Sequence, residues 1–286
     1  MSHIVYKYSS FARPLEIKYP SNLAVVIALP LITLILVGVE LGYRGSGFVP
    51  AIGIGLIGAM TGFLAWALGR ELDPDRNAGA FVGMGLAVIA IVLGWTPALW
   101  VLATALMAAR LVNRSVGPAA RISDLALITV LTGMAVFADG YWIMGLATAL
   151  AMAIDLYLDR RQTLNLIFAM IVVGFSAFSV VQADADWALL FVNPVLEIDQ
   201  NWIVGLSIVT VLSAAMLITL PRLTSCADAT GETLDRNRVQ GGVIIVLCFA
   251  IMSVFSGQAG LLAALPVWAA LTGMIEARAM PKRKLR

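Results

Sequence analysis

From Leu23 to Leu41 the chain runs nineteen residues with a single charged side chain, Glu40. An apolar run of about 20 residues is the length of a helix that crosses the roughly 30 Å hydrocarbon core of a bilayer. Runs of this kind recur to the end of the chain. Only 13% of all residues are charged and the mean hydropathy is +0.93, whereas a soluble domain carries about 25% charge. The solvent for most of this polypeptide is therefore lipid, and the expected fold class is all-α, a polytopic transmembrane helical bundle.

Ten spans are expected: Leu23–Leu41, Phe48–Leu68, Ala78–Leu93, Pro97–Val112, Ile122–Ala138, Tyr141–Leu158, Leu164–Val181, Trp202–Leu220, Gly241–Phe255 and Leu261–Ala277. Spans three to six are short, so the count falls to eight if some pairs are re-entrant. Pro30 is expected to kink the first span. No small-residue cleavage site follows the basic start, so that span is expected to stay uncleaved. The chain then divides into an N-terminal segment, 1–22, a transmembrane domain, 23–277, and a basic tail, 278–286. With the N-terminus inside, 18 of the 19 basic residues fall on the inner side and only Arg44 falls outside. That bias follows the positive-inside rule and places both termini in the cytoplasm, in the cell inner membrane. Trp95, Trp142, Trp187 and Trp202 fall at the outer interface, as an aromatic belt would.

Several chemistries are excluded by what is missing. His3 is the sole histidine and Cys226 and Cys248 are the only cysteines, which removes histidine-based acid–base catalysis, haem ligation and most zinc sites. No cofactor or resident metal is expected. The net charge of +2 comes from basic residues spread along span ends, so no nucleic acid is expected as a partner. The expected partners are the lipid bilayer, a small-molecule or lipid substrate, and further copies of the chain or a larger membrane complex.

The polar residues that could do chemistry gather at span ends. The turn Gly69–Asn77 packs Arg70, Glu71, Asp73, Asp75 and Arg76 into seven residues. Asp155 and Asp159 are four apart on one face of span six, and Arg110 and Arg114 are four apart on span four. A charge at depth needs a partner, and an Arg110–Asp155 ion pair is the simplest one. A sharper reading joins Asp155 and Asp159 to Asp73 and Asp75 as a rim that holds an anion, or Mg²⁺ and a phosphate head group. Glu40, beside the proline-containing span, either couples to a proton or snorkels to the outer face. Ser123 and Asp124 resemble N-terminal caps. Asn113-Arg114-Ser115 matches a glycosylation sequon by chance, and Asp184, Asp186, Glu197 and Asp199 form a solvated acidic loop. Thr104, Thr148, Ser176, Ser179 and Ser207 are the main polar groups at mid-depth.

Gly55, Gly58, Gly62 and Gly69 share one helical face, which suits close packing against another helix of the same chain. Leu102-Ala103-Thr104-Ala105-Leu106 recurs as Leu146-Ala147-Thr148-Ala149-Leu150, and Trp268, Thr272 and Arg278 echo Trp100, Thr104 and Arg110. Repeated helical hairpins are one source of such echoes. Ten spans in under 300 residues, with both ends inside and short loops, resemble the drug/metabolite transporters in topology. The run Gly69-Arg70-Glu71-Leu72-Asp73, with Gly79 and Gly83 after it, is similar to their glutamate-and-glycine turns, which in that family come later in each half. The resemblance implies a substrate passing between two halves. The expected function is a small-molecule or lipid transporter. The alternatives are a membrane-embedded enzyme acting on a lipid or polyprenyl head group, and a structural or assembly subunit. No Asn-Asp-x-x-Asp or Asp-Gly-x-x-Ala-Arg box supports the enzyme. The candidate site residues are Asp155, Arg110, Glu71, Asp73, Asp159 and Glu40.

Overall fold

The computed structural model describes residues 6, 8–182, 195 and 198–280. Asp184, Asp186, Glu197 and Trp187, named above, lie outside the described residues, as do His3 and most of the basic tail. Among the described residues the fold is all-α, with eleven helices and no strand. They are α1 (Pro20–Gly42), α2 (Phe48–Leu72), α3 (Asn77–Val92), α4 (Leu99–Asn113), α5 (Ile122–Phe137), α6 (Ile143–Leu158), α7 (Leu164–Gln182), α8 (Gln200–Ile218), α9 (Arg236–Val254), α10 (Gly257–Ala263) and α11 (Leu265–Ala279).

Each expected span is matched by a helix, and the differences have local causes. α1 starts at Pro20, which has no N–H to leave unpaired in a first turn, and it runs on through Pro30. α9 starts at Arg236 rather than Gly241, because the Asp235 carboxylate caps it through the N–H of Asn237 at 2.7 Å. α2 continues to Leu72, which brings Arg70 and Glu71 onto the helix. The tenth span is broken. α10 and α11 meet at 57°, and Pro266 opens α11.

Length and composition qualify α1, α2, α7, α8 and α9 as membrane-crossing helices, and the bent α10–α11 pair as a sixth. α3, α4, α5 and α6 are apolar helices of 15–16 residues. At 1.5 Å per residue they are about 23–24 Å long, less than the roughly 30 Å core. The apolar surfaces of α1, α7 and α8 look mostly outward, with only 6% of the most apolar stretch of α8 buried within the protein, whereas half of that of α9 is buried. Five or six such helices fit a multi-pass membrane protein.

α4 is the central helix, against α2, α5, α6 and α9. Its buried Ala105, Ala108 and Ala109 let neighbours approach. α3 lies against α2 and α11. The glycine stripe of α2 is used within the chain, as its spacing suggests. Gly55 and Gly58 face Thr33, Leu36 and Val37 of α1, and Gly69 lies under Ala80 of α3. α3 and α11 cross backbone to backbone, where a Cβ on Gly273 would run into the Gly79 carbonyl oxygen.

One end of the bundle carries most of the arginines and is crossed by two non-helical straps. The first is the N-terminal segment. Its Ser10 N–H (2.9 Å) and hydroxyls Ser9 (2.5 Å) and Ser10 (2.7 Å) all donate to Asp124. Asp124 also accepts the Arg121 N–H at 3.0 Å, so it serves α5 from inside the first turn, while Ser123 donates to the Tyr8 carbonyl. The second strap, residues 219–235, folds back on itself at the Cys226–Thr233 bridge. It docks on Ser115 and Val116 through the N–H groups of Asp228 and Ala229. Asp75 accepts its Thr224 and Ser225 N–H groups and the Ser225 hydroxyl.

The α3–α11 crossing makes a prediction. Gly273→Val should cost at least the 1–3 kcal/mol or so typical of overpacking, read as a fall in the thermal midpoint in detergent. Gly85→Ala on the same α3, where a Cβ meets nothing within 4 Å, should leave the midpoint unchanged or raise it.

Candidate functional site

The charged residues at the arginine-rich end sort into matched groups. Glu71 has no exposed surface. It accepts from Arg110 Nε at 3.1 Å and Arg13 Nη1 at 3.4 Å, and the Asn113 amide bonds its main-chain oxygen at 2.9 Å. Arg13 also forks onto Asp228, with Nη2 to Oδ1 at 3.0 Å. Two cations therefore face two carboxylates. Asp155, equally buried, accepts from Arg114 Nη2 at 3.0 Å, Arg238 Nη1 at 2.8 Å and Asn165 Nδ2 at 2.9 Å. Arg114 reaches Asp159 at 2.9 Å, again two against two. Arg278 Nε holds Asp73 at 2.9 Å. At the opposite end Arg44 and the Ser46 hydroxyl hold Glu40.

These pairings correct the expectations in two places. Arg110 does not pair with Asp155; it turns to Glu71 on α2, and Arg114, one turn further along, takes Asp155. The four carboxylates proposed as a rim are divided among three places: Asp155 and Asp159 at Arg114, Asp73 at Arg278, and Asp75 on the second strap. Among the described residues no three acidic, cysteine or histidine side chains group to hold a metal. Glu40 is 5% exposed, and its carboxylate is held by Arg44 and Ser46, just past the end of α1. Of the six candidates the structure thus brings together Arg110 with Glu71, and Asp155 with Asp159. Asp73 and Glu40 stand apart from them. Asn113 and Ser115, in the chance sequon, are buried.

Of the mid-depth polar groups Thr104, Thr148 and Ser176 are buried, Ser179 is half-buried and Ser207 lies on the outer surface of the bundle. Thr104 and Thr148 have no exposed surface and donate to the carbonyls of Trp100 (2.7 Å) and Met144 (2.9 Å). Thr272 does the same to Trp268 at 2.9 Å. The repeated threonines therefore play one local role, returning a hydroxyl to the preceding turn.

Outside the spans, two groups are held below the ordinary carboxylate range. Burial pushes Asp75 up, but the Ser225 hydroxyl and the Thr224 and Ser225 N–H groups outweigh it. Hydrogen bonding to Arg114 lowers Asp159. Asp139, in the turn after α5, goes the other way. Burial raises it from 3.8 to about 6, and its Oδ2 is buried with no hydrogen-bond partner.

Between the straps and the ends of α1, α2 and α3 lies a polar basin of about 410 Å³. Arg13, Glu16, Asn22, Arg70, Asn77 and Asp228 supply much of its wall, and Cys226 lies on it. A second cavity, of about 320 Å³, opens between α3, α8 and α11. It is walled by apolar side chains and by Trp95 and Trp202, whose rings meet edge-on at 5.3 Å. Glu71 was among the expected residues; Arg13, Asp228 and Arg238, which approach from distant parts of the chain, and Asn165, ten residues after Asp155 on the next helix, were not. Compared with protein-family models, with curated proteins and with solved structures, the chain matches none.

Two predictions follow from these charges. Glu71→Gln leaves Arg110 and Arg13 without their buried counter-charge, a loss of about 3–5 kcal/mol for a broken buried pair, measured as a lowered midpoint of unfolding in detergent. For Asp139 the folded-state value lies above the ordinary one, so the native state holds the extra proton. Stability then falls as pH rises from about 4 through about 6. Asp139→Asn should raise the thermal midpoint at pH 7.5, with the gap closing by pH 4.

Proposed function

We propose that this chain is a multi-pass protein of the cell inner membrane that binds a lipid or lipid-linked molecule by its head group at the arginine-rich, cytoplasmic face. The observation that carries this reading is the contrast between the basin and the interior. The basin is polar, lies at the end of the bundle where span ends meet water and head groups, and at about 410 Å³ falls within the roughly 300–1,000 Å³ of small-molecule pockets. The interior offers no such place to a polar solute, because Thr104, Thr148 and Asp155 are fully buried and bonded within the protein. The cavity between α3, α8 and α11 is apolar and suits hydrocarbon. Movement of a lipid-like substrate, or chemistry on its head group, would begin from the same basin.

Ten crossings and two cytoplasmic termini belong to this proposal. They are supported by the charge pattern of the sequence, in which a ten-span reading assigns 18 of the 19 basic residues to one side. They require α3 to α6 to cross despite their length, which local thinning of the bilayer allows at modest cost.

Native mass spectrometry of the protein extracted in mild detergent tests the reading. Lipid adducts should be retained, and Ser21→Trp, a substitution in the basin wall, should reduce them at least tenfold. Equal retention by both proteins would place the bound lipid elsewhere and remove the basin from the function.

A further inference from the structure

We propose that the cleft between α3, α8 and α11 is a lipid site of its own, which takes one acyl chain of a bilayer lipid from the leaflet away from the arginine-rich end. It is separate from the basin and does not rest on the reading of the basin as a ligand site.

The depth of the cleft gives the first reason. Its walls run from Leu86 to Leu93 on α3, from Trp202 to Val209 on α8 and from Leu265 to Thr272 on α11. Each stretch covers two helical turns, about 10 Å at 1.5 Å per residue, and each has one limit at the end of the bundle opposite the arginines. A hydrocarbon core of roughly 30 Å gives each leaflet about 15 Å, so the cleft lies within one leaflet. Both of its ends are closed. Trp95 and Trp202 meet edge-on at one. Toward the other, α8 and α11 come together, and Arg278 of α11 donates to the Met216 carbonyl of α8 at 2.9 Å. α11 packs against both α3 and α8 and forms the back. The open side therefore lies between α3 and α8, and the way in is sideways from the bilayer.

The lining gives the second reason. Among the described residues its only polar side chains are Thr272 and three indoles, and the Thr272 hydroxyl donates to the Trp268 carbonyl at 2.9 Å. A trapped water needs about 2–4 polar partners. α3 offers none, and α8 only the Trp202 indole. Left empty, the walls would lose their dispersion contacts on that side. The floor is made of short side chains, Ala90 and Ala269, both buried. On α8 a Cβ added to Gly205 would meet nothing within 4 Å. Acyl chains are the hydrocarbon around these helices, and one of them fills this space without taking any polar group out of water. A helix of a second copy fits less well, because it would run the full core of roughly 30 Å beside a cleft only two turns long.

Photolabelling of the full chain in nanodiscs tests the site. The probe is a phosphatidylcholine with a diazirine near the middle of one acyl chain, and labelled residues are read by peptide mass spectrometry. Labelling should reach the floor residues Ala90 and Ala269, which are buried from lipid at the outer surface of the bundle. Gly205→Phe fills the cleft from a position with room for a side chain. It should lower floor labelling at least fivefold and leave the outward Leu34 of α1 labelled as before. Gly174→Phe, at an equally open glycine of α7, should change neither. No floor labelling in the unaltered protein, or equal floor labelling in Gly205→Phe, overturns the site. Floor labelling by a diazirine-bearing prenyl alcohol but not by the phosphatidylcholine overturns the acyl chain as its occupant. An unlabelled floor in a protein that elutes as a dimer, and as a monomer in Gly205→Phe, gives the cleft to a second copy and also overturns it. Floor labelling in Ser21→Trp should equal that of the unaltered protein, so that either site can fail without the other; a loss there would make the two one site and overturn their separation.

Discussion

A carboxylate taken out of water must be met by cations at contact distance, and Glu71 sets that requirement at the centre of the arginine-rich end. An unpaired ion there would cost several kcal/mol even after relaxation, so the chain must deliver Arg110 from α4 and Arg13 from the first strap together. Arg13 then carries Asp228 with it, which ties the second strap to the same point. One buried acid thus joins the N-terminal segment, α2, α4 and the loop before α9. Asp155 does for α4, α6, α7 and α9 what Glu71 does for the other half, through Arg114, Asn165 and Arg238.

The apolar part of the bundle is organised by the opposite means. Lipid supplies no hydrophobic drive between helices, so close approach and dispersion must do the work. α2 meets α1 and α3 through glycines, α3 meets α11 backbone to backbone at Gly79 and Gly273, and α4 sits in the middle on alanines. With the interior threonines bonded to their own helices, this packing leaves the middle of the protein dry. Polar space collects at the end instead, where the straps do not pack flat and α1, α2 and α3 converge. The tight crossings and the open basin are two results of the same division between an apolar interior and a charged end.

The sequence made the helices legible because a charge-free run of membrane length has few alternatives, and the stripe Gly55, Gly58, Gly62, Gly69 made the α2 contacts legible through its spacing. Helix ends shifted where a cap or proline acted, as Asp235 does for α9. The ion pairs were legible only as a need. Arg110 and Arg114 lie on nearly one face and differ by one turn, about 6 Å along the helix, so depth judged from sequence assigned Asp155 to the wrong arginine. The partners Arg13, Asp228 and Arg238 carry no periodic signal, since other helices separate them in the chain from the residues they meet, and Asn165 reaches Asp155 across the turn between α6 and α7.

The decisive question is whether the arginine-rich end lies wholly on one side of a membrane. Cys226 lies beside the first turn of α1, on the basin wall, and Tyr43, 89% exposed, follows its last turn. With Cys248→Ala, a membrane-impermeant maleimide applied to sealed vesicles of each orientation should modify Cys226 from one side only. In Tyr43→Cys with Cys226→Ser it should modify position 43 from the other side only. Modification of both positions from the same side would mean that α1 does not cross and would contradict the placement of the basin, the straps and the paired charges at a single membrane face.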